Sequence, residues 1–464
     1  MTATVSAAVR PLHHVKTLAG SLAIPRVEMS VGVTAMVLVS LAPGLLPRAA
    51  AMQAMLSGML GALGLGLAAL LGFALRTLRV GPATGTTQRV VTGVGIATVA
   101  ISARGANEWQ NRLRSAMSAE QIGAGYWIQV AAGSALIMLL LYVIAAVLGA
   151  LARRLGIVRV VTLAIVGTAA AVTYCVPALV DWRADTYRAA NAEIDSTLHQ
   201  PDSATRSGSP YSLASWQALG AEGRKFVATA SNPGTDSVRV YAGIDSAADL
   251  QDRVAVAVSE LQRAGGFERS NIVVAIPTGS GWIDDNAVQG FETRFRSDVA
   301  IVGVQYSYAP SWATFVFGRS AAEESARTLY TAVADRIADL PLHDRPKLYV
   351  YGQSLGAIGG SAALAGNAVE PCGALWAGPP AGGVDRKGAT ILANSSDPVV
   401  RWSSDLLFHR PAPTGTHEDA PTPPWLPVVS FVQTTVDLLS ALDAPAGHGH
   451  RYGIQQGTAM PGCE

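Results

Sequence analysis

Lys347-Leu348-Tyr349-Val350-Tyr351-Gly352-Gln353-Ser354-Leu355-Gly356-Ala357-Ile358-Gly359-Gly360 is the stretch that decides the fold of the C-terminal half. Lys347 to Tyr351 reads as a buried strand, and the small-residue run Leu355 to Gly366 reads as a helix that opens directly after Ser354. A glycine-flanked serine by itself is a weak signal, because glycine and serine are common. A serine between a strand and a helix is a stronger one. The turn needs glycines for close backbone approach, it lifts the hydroxyl free of its neighbours, and it aims helix amides at a developing oxyanion. Ser354 is therefore expected to be a nucleophile.

Working outward, short apolar runs alternate with amphipathic ones. Strands are expected at Val238 to Ile244, Ile272 to Pro277, Val299 to Tyr306, Lys347 to Tyr351, Ala374 to Ala377 and Ala389 to Ala393. Helices are expected at Ala247 to Ala264, Ala321 to Leu340, Leu355 to Gly366 and Trp425 to Leu442. Alternation of this kind predicts a mostly parallel sheet with helices on both faces.

A serine hydroxyl needs a base, and the base needs an orienting carboxylate, in the chain order Ser, Asp, His. Asp397, in Asn394-Ser395-Ser396-Asp397-Pro398, follows the last strand directly, which Asp385 and Asp405 do not. For the base, Gly447-His448-Gly449-His450 offers two histidines in one glycine-rich loop, and the residues alone leave both open. His343 precedes the serine, while His409 and His417 sit in polar, proline-rich surroundings. The oxyanion donors are expected to be the Leu355 amide and one amide of Pro277-Thr278-Gly279-Ser280-Gly281-Trp282, near Thr278 or Gly279. Ser280 is also glycine-flanked, but no helix opens after it.

The N-terminal half is different in kind. Between residues 27 and 180 lie apolar windows near the roughly 20 residues a membrane helix needs, at Val31 to Ala51, Met55 to Leu75, Val90 to Ala103, Trp127 to Leu148 and Val158 to Val180. The first contains Pro43 and Pro47 and starts too late for a simple cleaved signal. Gly58, Gly61, Gly64 and Gly66 suit close helix packing, or merely the general frequency of glycine in membrane helices. Arg10, Lys16 and Arg26, then Arg76, Arg79 and Arg89, then Arg153, Arg154 and Arg159 mark alternate loops as cytoplasmic, against weaker positive charge at Arg48, Arg104, Arg112 and Arg114. Five crossings then place the C-terminal half outside. Residues 1–26 read as a cytoplasmic tail, 27–181 as the transmembrane domain, 182–235 as a linker and leading segment with a polar stretch Asp195 to Pro210, and 236–464 as the catalytic domain.

The net charge of +1, without basic runs interleaved with aromatics, argues against nucleic-acid binding. The three cysteines, Cys175, Cys372 and Cys463, lack the spacing of a metal site, so no metal is expected. Cys372 and Cys463 could pair in an oxidising compartment, or remain as one buried and one free thiol. No motif implies a cofactor.

At these residues the chain resembles the actinobacterial membrane-bound α/β-hydrolase family, which joins a multi-span N-terminal domain to an α/β-hydrolase domain. The resemblance rests on Ser40-Leu41-Ala42-Pro43-Gly44-Leu45-Leu46-Pro47-Arg48 with Gln53 and Ser57-Gly58, and on Arg206 to Pro210. It continues through Pro277 to Trp282, Gln305-Tyr306-Ser307-Tyr308, Ser311-Trp312, Tyr351 to Gly356, Ala374 to Pro380 and Ser396-Asp397-Pro398. The family's Gly-x-Gly-His-x-Tyr pattern aligns with Gly447 to Tyr452, which implies His450 as the base. Between Pro380 and Asp397 the chain is shorter than the family pattern, and that segment bears on substrate shape.

The expected function is a membrane-anchored, extracytoplasmic hydrolase of carboxylic or thioesters, with an acyl ester, lipid included, as substrate and the bilayer as neighbour. An acyltransferase with the same triad is the enzymatic alternative. A non-enzymatic transport or scaffold protein is the other, disfavoured by the scarcity of ionisable groups at mid-depth.

Overall fold

The computed structural model describes residues 26–81, 83–229, 236–367, 369–411 and 417–463; the expected tail, with Arg10 and Lys16, lies outside them. The N-terminal half is helical: α1 Val27–Leu41, α2 Ala50–Thr77, α3 Gly85–Ala116, α4 Ala124–Leu155, and α5 Ile157–Ala170, which passes through one π turn into α6 Val176–Ala192. Among the described residues, four helices are long and apolar enough to cross a membrane: Ala50–Thr77, Gly85–Ala116, Ala124–Leu155 and the continuous Val158–Ala192.

Two span expectations are corrected. The first span ends at Leu41 and not at Ala51, because Pro43 and Pro47 cannot continue a helix. At ~1.5 Å per residue α1 is about 22 Å long, short of the roughly 30 Å hydrocarbon core. The third span, expected as a short one, is instead a 32-residue helix. Helix α1 runs antiparallel along α2: Gly32 abuts Gly64, Glu28 abuts Gly72, and the Ser40 and Ser57 hydroxyls lie 2.9 Å apart. Gly58 and Gly61 receive Ile137 and Met138 of α4, so three of the four singled-out glycines sit at helix contacts, while Gly66 faces open space.

The C-terminal half begins with α7 Gly220–Ala228. The order then runs β1 Val238–Ala242, α8 Leu250–Arg263, β2 Asn271–Ile276, α9 Asp285–Arg294, β3 Val299–Val304, α10 Ser311–Phe317, α11 Arg319–Ala338, β4 Lys347–Gln353, α12 Leu355–Leu364, β5 Gly373–Ala377, β6 Ala389–Leu392, α13 Pro398–Arg401, α14 Val429–Asp437 and α15 Gln455–Thr458. The six strands form one parallel sheet in the order β1-β3-β2-β4-β5-β6. Alternate strand residues feed two cores: Ile272, Val274 and Ile276 face α8, α11 and α12, while Val273 and Ala275 face Phe226, Phe291 and Tyr452. All six expected strands are present. The late helix is shorter than expected and excludes Trp425, and α9, capped by Asp284, was not anticipated.

Most of the polar stretch Asp195 to Pro210, expected as a linker, is exposed or half-buried, while Arg206 to Ser209 are buried. The Ser207 amide donates to the Arg239 carbonyl on β1, and the Ser207 and Ser212 hydroxyls donate to the buried Glu260 carboxylate. Helix α6 also runs past residue 181 without a break, and Asn191 near its end accepts from Gln305 beside β3 at 2.9 Å.

A second junction lies at residues 42–49. Arg48 and Asp437 form a fully buried ion pair at 2.7 Å, and the Leu45 amide donates to the other Asp437 oxygen at 2.6 Å. From α3, Trp109 Nε1 donates to the Gly44 carbonyl, Gln110 accepts from the Arg48 amide, and Arg114 donates to the Arg48 carbonyl. The positive charge noted at Arg48 and Arg114 thus serves the junction. The helix ends carrying Arg26, Arg76, Arg79, Arg89, Arg153, Arg154 and Arg159 lie at the opposite end of the bundle.

Cys372, just before β5, is bonded to Cys463, with Cα atoms 4.6 Å apart and a sequence separation of 91. Closing a loop of that length removes much unfolded-state freedom. Cys463→Ser is expected to cost about 2–5 kcal/mol, read as a lower denaturant midpoint, with no further loss on adding a reductant; a midpoint equal to wild type would contradict the bond's contribution.

Candidate active site

Chain order reverses around β2, which lies between β3 and β4, and a ligand crevice in such sheets forms beyond the carboxyl ends at this switch. The two loops there are the Gly352 to Gly356 turn after β4 and the Pro277 to Trp282 turn after β2. Ser354 sits between strand and helix at φ 53° and ψ −118°, a left-handed conformation that costs a non-glycine residue free energy. Tight packing enforces it. A Cβ on Gly352 would lie 2.3 Å from the Gly356 carbonyl oxygen, and one on Gly356 would lie 2.3 Å from that of Ile276. Both obstacles are backbone and cannot swing aside. Gly356→Ala is therefore expected to displace the elbow and lower turnover by roughly 10²-fold or more, with esterase kinetics as the check; near wild-type turnover would contradict the packing argument.

Asp397 follows β6 and is completely buried. Its Oδ1 accepts the Val399 amide at 2.8 Å; its Oδ2 lies 2.8 Å from His450 Nδ1 and accepts the Tyr452 hydroxyl at 2.6 Å. Burial, and then the Asp397 charge, hold the Tyr452 hydroxyl well above its ordinary pKa, so it stays a donor. With Nδ1 on the carboxylate, the Nε2 of His450 is left to exchange a proton. His448 pairs elsewhere, its Nδ1 3.1 Å from Asp419 Oδ2. Of the two histidines left open by the residues, the structure therefore joins His450 to Asp397.

Ser354 and His450 both lie against the end of β5. The Ser354 amide donates to the Ala377 carbonyl at 2.9 Å, and a Cβ on the next residue, Gly378, would lie 2.9 Å from His450 Nδ1. The absent side chain is what lets the ring settle against this strand end, beside the elbow.

The expected oxyanion donors separate. Leu355 opens α12, so its amide has no acceptor within the helix. The Thr278 amide, in contrast, donates to the Trp282 carbonyl at 2.9 Å, and the Gly279 amide to Ser311 Oγ at 3.2 Å. Both are already engaged, the first within its own turn and the second at the start of α10, which the pattern of glycines could not show. Ser280 lies in that turn with its carbonyl accepting from Gln305, and no helix follows it directly. Asp385 and Asp405 are exposed, as are His343, His409 and His417.

Sequence reasoning missed two residues. Tyr452 was part of the Gly-x-Gly-His-x-Tyr pattern, which carried its signal. Asp419 had none: it lies in a polar, proline-rich stretch, yet accepts from the Ser395 hydroxyl, the Ser396 amide and hydroxyl, and faces His448, binding the acid loop to the histidine loop. Among the described residues, no group of three or more histidine, cysteine or acidic side chains could hold a metal ion.

Two family profiles cover most of the chain. One, described as the N-terminus of an alpha/beta-hydrolase family, matches residues 41–230. The other, described as that alpha/beta-hydrolase family, matches residues 238–390 and 384–460. The chain belongs to this alpha/beta-hydrolase family. The family's catalytic profile is matched in two pieces that meet at 384–390, within the stretch between Pro380 and Asp397 noted above as short. No curated protein matches the chain, and no solved structure does.

Proposed function

We infer that the chain is a membrane-anchored serine hydrolase of carboxylic or thioesters, in which Ser354, His450 and Asp397 act together. The observation that carries this reading is the strained Ser354 elbow standing beside a His450–Asp397 pair, with both packed on the Ala377–Gly378 strand end. Ser354 Oγ attacks the acyl carbonyl carbon while His450 Nε2 takes its proton, and the Leu355 amide donates to the oxyanion. The tetrahedral species expels the alcohol or thiol, which takes the proton from His450. Water, deprotonated by His450, then releases the acid and restores Ser354. Asp397 stays ionised and holds the imidazole in its tautomer, helped by Tyr452.

Lipid-like esters fit a site joined to apolar helices, since a bilayer concentrates amphipathic substrates beside it. An extracytoplasmic catalytic half is supported by the arginines gathered at the far end of the bundle and by the Cys372–Cys463 bond, which persists outside the cytosol. The test is hydrolysis of p-nitrophenyl esters of short and long acyl chain by the detergent-solubilised full chain. Turnover that Ser354→Ala abolishes is expected; equal turnover in that variant would overturn the reading.

A further inference from the structure

A cavity of about 1130 Å³ lies between Pro43–Leu45, the loop after α1, and the segments around Ala381–Gly382, Val400–Pro411 and Thr422–Thr434 of the hydrolase half. Its described wall residues do not include Ser354, Asp397 or His450, although Ser395 and Arg401 on either side of Asp397 are among them. Three arginines from three places in the chain, Arg386, Arg401 and Arg410, face it, with His409 beside them and the carboxylates Asp405 and Glu418 opposite in charge. Three positive charges less two negative ones leave +1 with His409 neutral.

Among the described residues none of these arginines has a side-chain hydrogen bond or ion pair, unlike the buried Arg48 and Arg239, whose guanidiniums are paired with Asp437 and Glu292. Arg386 and Arg401 are half-buried and Arg410 is exposed; burial pulls the Arg401 pKa down, against the fields of Asp419 and Asp397. A guanidinium withdrawn from water wants acceptors in a planar fork, and phosphate oxygens match that fork. Apolar groups complete the wall, with Val400, Leu406 and Trp425 on one side and Leu45 from the membrane half on the other. The volume suits more than a bare ion. Part of the wall, Ala381 to Arg386, belongs to the stretch where the chain is short against its family pattern.

We propose that this junction cavity is a phosphate-binding site, matched by its single net positive charge to a phosphodiester, and occupied by a phospholipid headgroup or by free phosphate. Arg386 and Arg401 hold the phosphate oxygens, and the apolar wall takes the first part of the acyl or glycerol body when a lipid is the source. The site does not depend on the chemistry assigned to Ser354.

Native mass spectrometry of the full chain in neutral detergent tests it, with phosphatidylglycerol, diacylglycerol and inorganic phosphate as separate probes. One phosphatidylglycerol is expected to bind wild type, with Arg401→Gln and Arg386→Gln each weakening it roughly 10- to 100-fold and Arg401→Lys recovering part of the loss. Thermal midpoints of the glutamine variants, and a retained melt for Arg401→Lys, separate lost binding from lost folding. Protection of wild type by inorganic phosphate alone, lost in Arg401→Gln, would assign the free ion as the source. Phosphatidylglycerol binding that both glutamine variants keep at full strength, or diacylglycerol binding equally well, would overturn the proposal.

Discussion

Asp437→Ala is expected to destabilise the protein by about 3–5 kcal/mol, because it strands the Arg48 guanidinium in a dry interior. Among the described residues Arg48 pairs with no second carboxylate: it is 1 % exposed, its Nε and Nη2 donate to Asp437, and its Nη2 otherwise meets the neutral Gln433 carbonyl. The Leu45 amide would lose its acceptor too. The pair sits where the membrane half meets α14, and the chain after α14 supplies the Ala441 carbonyl that accepts the His450 amide at 3.0 Å. Leu46 also packs against Gly449, next to His450. Loosening the clasp should therefore lower turnover as well as the thermal midpoint. Arg104→Ala, which breaks an exposed pair with Glu108, should cost no more than about 1 kcal/mol. Replacing both partners by apolar residues, as Arg48→Met with Asp437→Leu, should recover much of the loss, since no charge is then stranded. Thermal unfolding of the solubilised full chain is the measurement; an Asp437→Ala midpoint no lower than that of Arg104→Ala would refute the argument.

Asp397→Asn should cost roughly 10⁴-fold in turnover while leaving the fold nearly intact. The amide nitrogen of asparagine cannot accept from the imidazole, so the ring loses the tautomer that leaves Nε2 ready for the Ser354 proton. Tyr452 makes the position harder to rescue, since its hydroxyl donates to the same Oδ2 that faces His450. Tyr452→Phe should give a smaller loss, on the order of tenfold. His448→Gln, which disturbs only the Asp419 pairing, should also stay within about tenfold of wild type. Pre-steady-state ester cleavage separates these effects. Similar losses in Asp397→Asn and His448→Gln would mean that the two histidines had been given the wrong roles.

The strands were legible because runs such as Ile272 to Ile276 are apolar throughout, which a strand covered on both faces requires. Ser354 and Asp397 were legible for the same reason, since each directly follows a strand and the strand end delivers it. The choice between His448 and His450 was not readable from the residues alone. Two histidines two residues apart share every local feature, and what divides them is which of two distant carboxylates each one meets. The end of the first apolar helix was misplaced because the apolar count was allowed to outweigh Pro43 and Pro47, which break the helix, and could not show that Arg48 finds its partner 389 residues away. The use of the Thr278 and Gly279 amides was hidden likewise, being decided by Trp282 and Ser311.

The most direct test of the central claim is labelling of the full chain by a fluorophosphonate, with the modified residue located by peptide mass spectrometry. One adduct is expected, on Ser354, absent from Ser354→Ala and formed far more slowly in Asp397→Asn. An adduct on Ser280 or another serine, or no adduct on a folded wild-type chain, would contradict the claim.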